Sequence, residues 1–194
     1  MAQAAERTVI GGVGYRNLRD HSLGIVMSDE LEPLADPPRL LIEDLCYGPV
    51  AVGQWFLDEA LTAPITRAVF ISAVAREDGR PPGTISAYQW DRVLPDAHEI
   101  QRAVTDAVTG VIFLDNTLVV TEWMGALPEE AIVVEVEPEV HAFGDQMSSL
   151  VAAAYSEVKH LVMHLARDIQ LSRALPVMPF GGRRTAAARR GTTR

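Results

Sequence analysis

The run RAVFISAVA, residues 67–75, is the feature that most constrains the fold. It is apolar on both faces, as a central strand of a parallel sheet must be when helices cover both sides. Parallel neighbours cannot be joined by tight hairpins and need crossover connections, generally helical. The rest of the chain supplies that alternation. RTVIGG leads from an apolar strand into a glycine turn, and Leu23, Val26, Met27, Leu31 and Leu34 then recur at helical spacing up to Asp36-Pro37-Pro38. RLLIEDL is a second strand ending near Asp44, and Pro49 opens a helix with Val52, Phe56 and Ala60 on one face.

After the central strand, TISAYQW alternates as a fourth strand, expected at the sheet edge. Residues 96–105 read as a short helix. VTGVIFLDNTLVVTEWMG is too continuously apolar for periodicity to separate strand from helix, and a helix over 117–124 is the preferred reading. AIVVEVEP is a strand. Met147, Leu150, Val151, Ala154, Val158, Leu161, Val162 and Leu165 form the stripe of a long last helix, with Asp145 as its expected N-cap. Alternating strands and helices predict a single three-layer α/β/α domain with a mainly parallel sheet. The expected divisions are a frayed segment over 1–6, the α/β domain over 7–172, and a basic, disordered tail over 173–194.

Charge and composition narrow the function classes. From Arg173 onward there are six arginines and no acid, so a body of formal charge about −15 carries a basic tail. An acidic body is a poor match for a phosphate backbone, and no nucleic-acid partner is expected. No apolar stretch reaches the roughly 18 residues of a membrane span, and no secretory signal pattern opens the chain. A soluble, cytoplasmic protein is expected. Cys46 is the only cysteine, which excludes an internal disulfide and a cysteine-rich zinc site.

Several residues could carry chemistry. Gly12-Val13-Gly14 followed by Asn17 imitates a dinucleotide fingerprint, with Asp44 as the ribose-binding acid; the third glycine is absent, and a tight βα turn explains the same residues. His160 and His164 stand four apart on a helix without the glutamate of a zinc protease, off the apolar stripe. Glu135, Glu137 and Glu139 cluster at a strand end, as a cation site or simply an exposed end. Cys46 follows Asp44 at an expected carboxyl edge, where a thiolate would be a soft ligand and a thiol a small buried hydrophobe. In an open α/β sheet ligands sit outside the carboxyl ends of the strands, which directs attention to Tyr15–His21.

With these residues in view, the order of motifs resembles the hydrogenase maturation proteases, endopeptidases that trim the C-terminus of a nickel-iron hydrogenase large subunit. GVGYRNLRDHSLGI is similar to their strand, glycine turn, acidic pair and closing glycine, with Asp20 in the first acidic place and Gly24 as the glycine. Asp44 after LLIE matches the aspartate of their second turn, and Pro81–Ile85 resembles the segment after their third strand. ALPEEAIVVEVEPE resembles their penultimate strand, and GDQMSSLVAAA their last helix start, with Ser149 where proline is usual. The likeness runs from about Thr8 to Ala166.

The resemblance implies the same α/β fold, a nickel-iron hydrogenase large subunit as partner, and nickel carried by that substrate. The family holds the metal through an acidic residue in the first turn, an aspartate ending the third strand and a histidine farther on. Here His21 occupies the first place and Ser72 replaces the aspartate. The third is either His98 or, if spacing to Gly125 is kept, a position near Gly110 without a histidine. Tyr15 stands in place of the usual asparagine. Asp20 and Asp44 are thereby the expected catalytic positions, and His21, His98 and Cys46 the expected metal contacts. Two functions follow: a divergent maturation protease, or a non-catalytic relative that binds a hydrogenase subunit or assembly factor. A nucleotide- or small-molecule-binding α/β protein is the third reading.

Overall fold

The computed structural model describes residues 6–76 and 78–182. Strands β1 (Arg7–Gly12), β2 (Leu40–Asp44), β3 (Ile65–Ala73), β4 (Ile85–Trp90), β5 (Glu130–Val136) and β6 (Val177–Met178) form one sheet in the order β2-β1-β3-β5-β4-β6. The first four in that order run parallel, so β1, β3 and β5 all end at the same edge. The two-residue repeat of a strand sends neighbouring side chains to opposite faces. Ile10, Val69 and Ile132 accordingly enter one core, and Val9, Phe70 and Val133 the other.

Helices α1 (Leu23–Leu31) and α5 (Ser149–Arg167) cover the first face, while α2 (Pro49–Ala60), α3 (Ala97–Val108) and α4 (Leu114–Trp123) cover the second. The three-layer α/β arrangement expected from the alternation is the one observed.

Three elements depart from the sequence reading. β4 is not an edge strand: it lies antiparallel to β5 and is flanked outside by β6. Gln89 N–H donates to Pro176 O and Asp91 N–H to Met178 O, which shields part of an edge that would otherwise offer unpaired groups. The expected tail boundary at residue 172 also shifts. A short helix α6 (Ile169–Arg173), β6 and a turn at Phe180–Gly182 are packed, with Phe180 stacked on Trp90 at 4.8 Å between ring centroids. Residues 183–194, which carry most of the basic tail, and residues 1–5 lie outside the described residues. Finally, α5 is capped by Ser148, whose hydroxyl accepts from Val151 N–H, and not by Asp145. The cap falls there because Ser148 N–H is itself held by a distant carboxylate, described below.

The amino-terminal ends of β1 and β3 carry arginines that the apolar pattern does not explain. Buried Arg7 pairs with Glu59 at 2.8 Å and donates to Glu59 O and Ala63 O, tying β1 to the end of α2. Buried Arg67 pairs with Glu130 at 2.7 Å, and Arg173 reaches the other oxygen of that carboxylate, also at 2.7 Å. Against the cost of its burial, these two guanidinium groups hold Glu130 below the usual carboxylate range.

Candidate functional site

At the carboxyl edge of β1, β3 and β5 the sheet opens into a cavity of about 530 Å³. Its walls are the first turn (Gly14, Tyr15, Leu18, His21), the end of β3 and its continuation (Ser72 to Arg76), residues 112–116 at the start of α4, and residues 138–141 after β5.

The first turn is shaped by backbone constraints. Val13 N–H donates to Ile71 O, which carries the chain past the sheet edge. Gly14 has φ +154°, and a Cβ there would lie 2.2 Å from His21 O, so only glycine permits the close return of the turn. Asn17 and Arg19 both have positive φ, at 60° and 44°, a conformation that non-glycine residues adopt at a cost. The segment that follows β5 over-determines them. Gly144 N–H donates to Asn17 O and Arg19 N–H to Gly144 O, while Arg19 Nε donates to Gln146 O. The N–H groups of Val13, Tyr15, Arg19 and His21 are all spent on protein carbonyls, so these four are not offered to a phosphate. The fingerprint-like glycines therefore build a turn.

Asp20 fastens the same two segments from within. Its carboxylate is fully buried and accepts from the backbone N–H groups of Glu139 (2.9 Å), Val140 (2.8 Å) and Ser148 (2.6 Å). Burial pushes this carboxyl up, but the N–H donors outweigh it and hold it below the ordinary range. With its oxygens engaged and no exposure, Asp20 positions the loop over 139–148 and does not reach the cavity.

His21, one residue on, points the other way. Its Nδ1 lies 3.2 Å from Ala73 O, and its Nε2 lies 3.1 Å from His141 Nδ1. The rings meet edge to face at 4.6 Å. An Nδ1–H donated to Ala73 leaves the lone pair of His21 on Nε2, aimed at His141; this tautomer is assigned from the hydrogen-bond network. Burial pushes the His21 pKa down and neighbouring His141 adds to it, outweighing the Ala73 carbonyl and Asp20. Both effects favour the neutral form of the His21 imidazole.

The other expected site residues are dispersed. Asp44, at the end of β2, accepts from Cys46 N–H and pairs with Arg16 at 2.6 Å; Arg16 in turn clasps Asp29 through two bonds. Burial, reinforced by Asp44, pushes the Cys46 thiol up to about 11, so it is not a thiolate at neutral pH. His98 is exposed in the first turn of α3 and is not in the cavity wall. The stretch near Gly110 is at the rim instead: Ile112 N–H donates to Tyr15 Oη, and Tyr15 Oη reaches Gly110 O at 3.4 Å. Ile112 and Phe113 fill this part of the wall. Among the described residues no group of three or more His, Cys, Asp or Glu side chains converges as a metal site.

Ser72 is buried in the cavity wall and is the register partner of Glu135 on β5. Register partners share a sheet face, so the environment of Glu135 governs what position 72 can hold. Glu135 is almost inaccessible, accepts from Tyr88 Oη at 3.1 Å, and pairs with Arg76 at 2.6 Å and Arg80 at 3.1 Å. Arg76 also grips Asp115 through bonds of 2.7 and 2.9 Å. Glu137 accepts from Arg76 N–H. The acidic strand end that invites a cation is thus neutralised by two arginines, and only Glu139 of the three faces solvent. A carboxylate at position 72 would stand beside one already held in this network, whereas a hydroxyl is neutral.

His141 is the residue of the candidate site that sequence reasoning missed. Its one legible signal was its place just past the carboxyl end of β5, where α/β sheets gather ligands.

No protein-family model and no curated protein sequence matches the chain. Solved structures do. An endopeptidase from Escherichia coli is similar at a TM-score of 0.60 and 19% identity, covering 89% of this chain and 97% of its own. The hydrogenase maturating endopeptidase HybD from E. coli is similar at 0.58 and 18%, covering 84% and 93%. Hydrogenase 2 maturation peptidase from a Thaumarchaeota archaeon is similar at 0.52 and 19%, covering 82% and 97%. At these identities the likeness is one of architecture, and it matches the family that the motif order resembles: the chain has the fold of the hydrogenase maturation endopeptidases.

Proposed function

We propose that this chain is a divergent hydrogenase maturation protease-like protein that acts on the large subunit of a nickel-iron hydrogenase, in the cytoplasm, by C-terminal endoproteolysis. One observation carries the reading: the cavity at the carboxyl edge is bounded by His21 and Ser72, the positions that the resemblance puts at the family's metal-recognition face. In this reading the nickel arrives as part of the substrate. His21, neutral and oriented by the Ala73 carbonyl, offers it an imidazole nitrogen. Asp20 acts indirectly, by holding the loop over 139–148 against the first turn, and Asp44 acts through its pairing with Arg16. His98 and Cys46 take no direct part, because one lies outside the cavity wall and the other is a protonated thiol.

The structure also favours a second reading, that of a non-catalytic relative that binds a hydrogenase subunit or assembly factor at the same cavity. Its support is the pairing of Ser72 with arginine-bound Glu135, which leaves the third-strand position without a charge for the metal. The two are separated by incubating the purified protein with a nickel-loaded, unprocessed large subunit and weighing the product. Loss of a C-terminal peptide, abolished by His21→Ala, is the expected result. A stable complex with unchanged substrate mass establishes the binding reading, and neither cleavage nor a complex overturns both.

A further inference from the structure

His21 and His141 meet through their ring nitrogens at the cavity rim. His141 is exposed, and its ring makes no other hydrogen bond among the described residues, yet its Nδ1 is held 3.1 Å from Nε2 of His21. Two imidazole nitrogens each about 2.0–2.1 Å from a common ion stand about 2.8–3.4 Å apart for angles between a right angle and the tetrahedral one. The observed separation falls in that interval.

A second feature points the same way. Metal-bound histidines generally donate their remaining ring N–H to a carbonyl or carboxylate, which fixes the ring and the tautomer. His21 does so toward Ala73 O, a backbone atom at the end of β3 that cannot rotate away. The loop bearing His141 is equally fixed, because Asp20 binds the N–H groups of Glu139 and Val140 immediately before it. Both rings therefore approach from anchored elements and open onto the cavity.

We propose that His21 Nε2 and His141 Nδ1 form a two-histidine chelate for a borderline divalent cation such as Ni²⁺ or Zn²⁺, with its remaining coordination positions open to the cavity. Binding requires that the His141 proton move from Nδ1 to Nε2, which gives up the hydrogen bond to His21 and leaves Nδ1 with a lone pair for the ion. Imidazole donors suit Ni²⁺, Cu²⁺ and Zn²⁺, whereas Mg²⁺ and Ca²⁺ prefer oxygen ligands. A site with two protein donors leaves room for water or for ligands supplied by a bound partner. The assignment does not depend on the hydrogenase reading, since it concerns the cation alone.

The test is calorimetric titration of tag-free, metal-free full-length protein with NiCl₂ and with ZnCl₂, with electron paramagnetic resonance of the Cu²⁺ form. One equivalent is expected to bind, His21→Ala and His141→Ala each weakening it about tenfold or more, with His98→Ala unchanged. The Cu²⁺ spectrum is expected to show two imidazole nitrogens in the parent and one in His141→Ala. His160 and His164 on α5 are the rival pair, so their double alanine variant is expected to bind like the parent. If His21→Ala does not fold, His21→Gln keeps a donor for Ala73 O and replaces it. Absence of saturable binding, undiminished binding in the His21 and His141 variants, or loss in the His160/His164 variant overturns the proposal. Cleavage of a large subunit is not a readout here, so failure of the functional reading leaves this result interpretable.

Discussion

The two sides of the cavity are built on opposite principles. On one side Arg76, Arg80, Glu135, Glu137, Asp115 and the Tyr88 hydroxyl form a network buried in or against the sheet. On the other, His21 and His141 present ring nitrogens whose only claims among the described residues are one carbonyl and each other. A saturated network has no valence left for a ligand, and breaking one member strands another charge in a poorly hydrating place. An unsaturated pair costs little to disturb and has donors to offer. Adjacent residues repeat the contrast: Asp20 is wholly consumed by backbone donors, while His21 is exposed to the cavity.

The largest effect should come from breaking the saturated side. Arg76→Met removes a partner of Glu135 and both bonds to Asp115, and is expected to cost about 3–5 kcal/mol, read as a drop of roughly 10 °C in Tm. A loss below about 1 kcal/mol would show that Arg80 alone satisfies Glu135. Next, Asp20→Asn should cost about 2–3 kcal/mol, since charge-assisted bonds to backbone N–H groups weaken together. Hydrogen exchange should then accelerate at Glu139, Val140 and Ser148. Asp44→Asn is the matched control; its partner Arg16 is half exposed, and a change within about 1 kcal/mol is expected.

A smaller effect tests why position 72 lacks a carboxylate. Ser72→Asp should be less stable than the near-isosteric Ser72→Asn by about 1 kcal/mol in urea denaturation, because it sets a like charge beside Glu135. Equal stability would mean that the two arginines accommodate another acid.

The pH dependence sharpens the same distinction at the far end of the sheet. Glu130 is held below its ordinary pKa in the fold, so the unfolded chain binds its proton first as pH falls. Its contribution is present above the unfolded value and is lost as pH drops through the folded one. Glu130→Gln should therefore flatten the fall in stability on acidification below about pH 4.5. The smallest effect is expected for His141→Ala: within about 0.5 kcal/mol of the parent in denaturation, as for an exposed residue outside any saturated network.

Much of the scaffold was legible because its signals are local. The apolar run of β3, the glycines after β1, Pro49 at the start of α2 and the stripe of α5 each declare their element within a few residues. The position of β4 was not legible, since a strand with one polar face reads as an edge until β6 is seen beside it. Nor was the cap of α5: Asp145 and Ser148 are both good N-cap residues, and the choice was made by Asp20 from across the molecule. At the site, the first turn was found from its glycines, and the two acids it suggested proved to be a buried clamp and half of an ion-paired corner.

By itself the sequence determined a parallel α/β sheet, a glycine turn at the end of its first strand, and a cluster of chemistry-bearing residues around His21. Periodicity and turn chemistry act over one or two turns of chain, which is the range a sequence displays. Only the tertiary structure decided which of those residues are spent and which are free. Asp20 meets its donors, and His21 meets His141, across about 120 positions of sequence. Such pairings are selected by packing of distant loops at one sheet edge, and nothing in the local pattern of either loop encodes its partner.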